Sequence, residues 1–239
     1  MNRAVFIIFL MVTILSITAS PAFSENYHFF NLDNRPLPQY EFIYRELVKY
    51  FQDSVPEKIT VVNTTGKASR FDYGKERVLI SEYHLKSDPV GIVAHESCHL
   101  SMENYTKGAS VKEEFRFLDE GFAEIFQSII NNKFEEYKNE ALAVAAVQNR
   151  KSNLSLARVQ RWSEYFGSPE TKTNFHAYPV GASFVFFAID TYGMERFFAL
   201  LKDIGGTNKL DESFQNVFQK GIPVMEKDWL DYLSTTERE

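Results

Sequence analysis

The sequence predicts an α+β protein: a small β-containing N-terminal lobe followed by a mostly helical C-terminal lobe. Two observations carry this. Between residues 58 and 81, "KITVVN" and "RVLIS" are short, β-branched runs flanked by turn residues, as strands are. From residue 88 onward, apolar residues recur at helical spacing in segment after segment, most of them ended by glycine or a polar loop.

The chain begins with "MNRAVFIIFLMVTILSITASPAFS", a basic start at Arg3, an apolar run and a small-residue exit. This reads as a cleaved export signal over residues 1–24, leaving residues 25–239 as a single domain. The apolar run is shorter than the ~20 residues a spanning helix usually needs, so an uncleaved anchor is the lesser alternative. No cysteine follows the run, which excludes a lipoprotein anchor. The mature product is expected outside the cytoplasm, periplasmic or secreted, without stable membrane insertion. Its formal charge, −6 for the whole chain, becomes −7 once Arg3 is removed. A mildly acidic export product does not suit nucleic acid. Cys98 is the single cysteine, so no internal disulfide is available.

After the signal, "ENYHFFNLDNRPLPQ" reads as a loop. "YEFIYRELVKYFQD" then places Phe42, Leu47 and Phe51 near one helical face. Strand "KITVVN", the turn-like "FDYGKE" and strand "RVLIS" follow. "SDPVGIVAHESCHLSM" opens with Asp88 as a helix cap and Pro89 in the first turn. A polar loop leads to "FLDEGFAEIFQSII", then "EEYKNEALAVAAVQ", "LSLARVQRWSEYF", "YPVGASFVFFAIDTYG" and three further helical segments.

Within the helix that starts at Asp88, His95, Glu96 and His99 are spaced as H-E-x-x-H. Positions i and i+4 differ by about 40° around an α-helix, so the two imidazoles project side by side, one turn apart. Neutral imidazoles suit Zn²⁺, and a catalytic zinc keeps three protein ligands and one open position. Glu96 is placed to act as general base toward a water at that ion. A pair of buried structural histidines would show the same spacing. Cys98, about 80° round the helix from the face that His95 and His99 share, reads as a small core residue. His28 and His84 read as ordinary surface or core histidines.

Glu120 follows His99 by 21 positions, in the next helical segment, and can supply a third ligand oxygen. Glu124, one turn further on the same face, can accept the N–H of a metal-binding imidazole. Bare carboxylates among Leu118, Phe122, Ile125 and Phe126 need a partner.

H-E-x-x-H followed by "LDEGFAE" resembles the gluzincin metallopeptidases, most closely the small bacterial peptidase MA-like proteins. The likeness spans about residues 55–235. It is specific at residues 95–99 and 118–124 and diffuse elsewhere, and the spacing to Glu120 is one or two residues longer than in well-known relatives. The resemblance implies a zincin-like metallopeptidase domain with one Zn²⁺ held by His95, His99 and Glu120, and Glu96 as base. "AYPVGA" resembles the aminopeptidase Tyr-x-x-Gly-Ala helix entry. That implies Tyr178 as hydrogen-bond donor to the oxyanion, with His176 as a second candidate. "RVLIS" resembles the edge strand that pairs with an extended substrate. The aminopeptidase Gly-x-Met-Glu-Asn stretch has no counterpart here, and Glu76 and Glu82 do not replace it. A peptide or protein substrate and endopeptidase action are therefore expected. A catalytically weak binding protein of the same fold, and a zinc hydrolase of another amide such as a cell-wall bond, remain open, as does the oligomeric state.

Overall fold

The computed structural model describes residues 27–168, 171 and 176–236. The expected signal segment, residues 1–24, lies outside the described residues. No helix among the described residues is long and apolar enough to cross a membrane.

Among the described residues four strands form one mixed sheet: β1 (Phe29–Phe30), β2 (Ile59–Thr64), β3 (Arg70–Asp72) and β4 (Arg77–Ser81), in the order β1-β2-β4-β3. β1 and β4 both run parallel to β2, with Val61 opposite Val78. β3 is antiparallel to β4, with Phe71 opposite Val78. Ile59 and Val61 on β2 and Val78 and Ile80 on β4 are buried, the period-2 pattern of a sheet covered on one face. β1 and β3 were not legible as strands. They have two and three residues, too short to display an alternation, and β3 lies just before and partly within the stretch that reads as a turn.

The extra strand corrects one expectation. "RVLIS" is β4, an interior strand rather than an edge: β2 pairs along its length and β3 pairs with Arg77–Leu79. The exposed edge beside the H-E-x-x-H helix belongs to β3.

α1 (Glu41–Phe51) connects β1 to β2. It buries Ile43, Leu47 and Phe51, spaced at i, i+4 and i+8; Phe42, expected on that face, is only half-buried. After the short α2 (Glu82–Ser87) comes α3 (Pro89–Tyr105), which carries the motif. Asp88 caps it: Oδ1 accepts the Gly91 N–H at 2.9 Å, and Pro89 sits in the first turn, where its missing N–H costs nothing. Gly91 and every residue from Val93 to Glu103 are buried. α3 is thus a core helix enclosed between the sheet and α4 (Arg116–Ile130), so its polar side chains depend on partners inside the protein rather than on water.

Among the described residues, the elements that follow are helices: α5 (Phe134–Ser152), α6 (Leu156–Val159), α7 (Trp162–Phe166), α8 (Ala177–Tyr192), α9 (Met194–Thr207), α10 (Leu210–Phe218) and α11 (Ile222–Thr236). "LSLARVQRWSEYF", read as one helix, breaks at Gln160 and Arg161 into α6 and α7. α8 is apolar and buried along most of its length, and it packs most extensively on α4.

Candidate metal centre

His95 and His99 project from α3 toward Glu120 on α4. Their Nε2 atoms lie 3.1 Å apart. Glu120 Oε2 lies 3.5 Å from His95 Nε2 and 3.3 Å from His99 Nε2. All three residues are buried, and together they form a cluster that can hold a metal ion. The triangle of donor atoms can be compared with a coordination shell. A tetrahedral zinc with ligand distances of about 2.0–2.1 Å spaces its ligands about 3.3–3.4 Å apart. The three observed separations bracket that value, so the donor set fits such an ion in both type and spacing. Three nitrogen and oxygen donors leave a fourth position for something else.

Two nitrogens facing each other at 3.1 Å need something between them. Burial alone would push both imidazoles toward neutrality. For His99, Asp119 and Glu120 outweigh burial and push its pKa up to about 10. His95 is raised as well, by Glu120, with Glu124 and Glu96 adding to it and His99 opposing. Glu120, though buried, is held well below the usual carboxylate range by the two histidines and Arg116. The site is built to be occupied by positive charge, either protons or a cation.

Glu96 is buried next to the histidines, and burial pushes its carboxyl above the ordinary range, opposed by His95 and His99. That is the direction a general base working near neutral pH requires. Tyr178, in the first turn of α8, packs edge-on against Trp162 and Phe166. Burial, then the negative charges of Glu120 and Glu124, push its hydroxyl up, so it stays a proton donor. It reaches this neighbourhood because α4 and α8 cross at two glycines. A Cβ on Gly121 would lie 2.6 Å from the Gly181 carbonyl carbon, and one on Gly181 would lie 2.7 Å from the Phe117 oxygen. Gly181 is one turn beyond Tyr178.

The structure treats the other expected residues differently. Glu124 Oε1 is 3.8 Å from His95 Nδ1, a charge contact rather than a hydrogen bond. It faces a cavity of about 240 Å³ that it shares with Tyr137. His176 precedes α8, and its Nδ1 is 2.9 Å from Gln148 Nε2 on α5. No hydrogen bond or ion pair among the described residues joins it to the three-residue cluster. Cys98 is fully buried, and burial raises its thiol pKa, which keeps it an inert core residue.

Three residues that the sequence did not single out complete the site. Asp119, on α4 and almost fully buried, brings Oδ1 to 2.9 Å from His99 Nδ1, though off the direction of an aligned hydrogen bond. It, not Glu124, is the carboxylate closest to the back of a cluster imidazole. Arg116 holds Asp119 Oδ2 at 2.8 Å and Glu120 Oε1 at 2.7 Å. Phe71, from edge strand β3, stacks on the His99 ring at 5.1 Å between centroids. A signal for Arg116 was present: R-x-x-D-E places an arginine three and four residues before two acids, the spacing of paired side chains on a helix. Phe71 had none, because the contact spans 28 residues of chain and depends on a three-residue strand.

No protein-family model matches this chain, and neither the curated proteins nor the solved structures include a match to it.

Proposed function

We propose that this protein is an exported zinc-dependent peptidase of the gluzincin kind that cuts within extended peptide chains. The observation that carries the reading is the donor triangle. Two imidazole nitrogens and one carboxylate oxygen, on two helices, converge at 3.1, 3.3 and 3.5 Å, the spacing a tetrahedral zinc requires. A zinc held there supplies Lewis acidity toward a carbonyl oxygen and makes a water acidic enough to attack near neutral pH.

The chain's own residues account for the remaining steps. The Glu96 carboxylate takes a proton from the attacking water and returns it to the departing amine, a double role favoured by its raised pKa. The Tyr178 hydroxyl remains protonated and donates to the oxygen that gains charge as the carbonyl carbon becomes tetrahedral. Asp119 fixes the orientation of the His99 ring. β3 has one side paired with β4 and its other side unpaired among the described residues. A substrate backbone added there would lie next to Phe71 and the metal ligands, bound through main-chain hydrogen bonds that tolerate many sequences.

The reading is tested by incubating the mature protein with a mixed-peptide library, with and without a chelator. Chelator-sensitive internal cleavage, equal for N-acetylated and free-amine peptides, supports it. Stepwise loss of N-terminal residues from free-amine peptides alone would replace it with an aminopeptidase reading. No cleavage by the zinc-loaded protein would leave a binding function or hydrolysis of a non-peptide amide.

A further inference from the structure

Arg116 is the first residue of α4, three before Asp119 and four before Glu120. Its Nη1 donates to Asp119 Oδ2 at 2.8 Å, and its Nη2 lies 2.7 Å from Glu120 Oε1. Each carboxylate therefore gives one oxygen to the same guanidinium and turns the other toward the histidines. Glu120 Oε2 faces both Nε2 atoms, and Asp119 Oδ1 faces His99 Nδ1. The guanidinium also sits over the Phe71 ring, 5.7 Å from its centre, and Phe71 stacks on His99. Arg116, Asp119, His99 and Glu120 thus form a closed ring of contacts with Phe71 covering one side.

We propose that Arg116 sets the coordination number of this site: by occupying Glu120 Oε1 it leaves that ligand a single oxygen to offer, and so keeps the site a three-donor, zinc-type site with one open position. The proposal rests on the reading of His95, His99 and Glu120 as metal ligands. A carboxylate with both oxygens free binds a cation through one or two of them, and two-oxygen binding favours ions that accept more oxygen ligands, such as Mn²⁺ or Ca²⁺. A guanidinium is suited to prevent this, since its planar fork forms strong charge-assisted bonds to two acceptors at once. A lysine at this position, a single point charge on a flexible stem, could not hold Glu120 and Asp119 in fixed positions together. Arg116 does not face the reacting atoms in this scheme. It is a positioning residue.

The test uses the whole mature protein, stripped of metal and loaded with Co²⁺, whose visible spectrum distinguishes four-coordinate from higher-coordinate sites. Competition between Zn²⁺ and Mn²⁺ is measured alongside it. The wild type should give the intense absorption of a four-coordinate ion. Arg116→Gln should give the weaker absorption of a higher-coordinate one, with the Zn²⁺ over Mn²⁺ preference reduced about tenfold or more, the scale typical of lost partners around a metal. Arg116→Lys should shift both readouts in the same direction, and it decides the matter if the glutamine variant does not fold. Unchanged spectrum and preference in a folded variant, with one Co²⁺ bound in the wild type, would overturn the role of Arg116 and leave the metal site standing. Absence of stoichiometric Co²⁺ binding in the wild type would overturn both.

Discussion

Gly121 and Gly181 meet backbone to backbone: a Cβ added to Gly121 would lie 2.6 Å from the carbonyl carbon and oxygen of Gly181. This crossing brings α8 against the helix that carries Glu120, with Tyr178 one turn before the contact. Gly181→Ala should force the helices apart and cost about 1–3 kcal/mol, the usual range for overpacking a core. Thermal unfolding should show the loss. A variant with unchanged stability would mean that the crossing is less tight than the structure has it.

Asp119 and Glu124 make opposite predictions. Asp119 Oδ1 lies 2.9 Å from His99 Nδ1, whereas Glu124 Oε1 is 3.8 Å from His95 Nδ1. Replacing the carboxylate behind a ligating histidine typically lowers metal affinity about 10–100-fold. Asp119→Asn should fall in that range by chelator competition, and Glu124→Gln should change affinity much less. The reverse order would return the orienting role to Glu124, as the sequence alone suggests.

Glu103 makes stability depend on pH. It is buried, and its Oε2 has no hydrogen-bond partner among the described residues. Burial, reinforced by Asp119, pushes its pKa up to about 7. Because the folded state holds this proton more tightly than the unfolded state, the Glu103 contribution to stability is fully present below about pH 4.5. It is lost as pH rises toward 7. Glu103→Gln should therefore stabilise the metal-free protein by about 1–3 kcal/mol at pH 8 and leave it little changed at pH 4. Equal effects of the substitution at both pH values would show that Glu103 titrates normally.

Glu96→Gln preserves size and helix propensity but cannot take up a proton. Metal content should be unchanged, and hydrolysis of any substrate found should fall by about 10²–10⁴-fold. A rate equal to wild type would remove Glu96 from the proton transfers.

The centre of this fold was legible because it follows from local periodicity. His95 and His99 share a face through helical spacing alone, and the cap at Asp88 places the helix start where Pro89 indicates. Glu120 was legible through its setting in "LDEGFAE". What the sequence concealed depends on tertiary contacts. Phe71 reaches His99 only because β3 closes the sheet edge, and a three-residue strand leaves no pattern to read. Asp119, next to Glu120, looks like an ordinary surface acid until the fold buries it against His99. Its spacing alone makes Glu124 a candidate histidine partner. Spacing fixes the face but not a distance, and the distance is 3.8 Å.

The central claim is that His95, His99 and Glu120 hold one zinc ion, and metal analysis of the reconstituted mature protein tests it most directly. The prediction is one equivalent of zinc per chain, retained through gel filtration and lost in His99→Ala while circular dichroism shows the helical fold intact. Wild-type protein that retains no zinc after reconstitution, or His99→Ala protein that keeps a full equivalent, would contradict it.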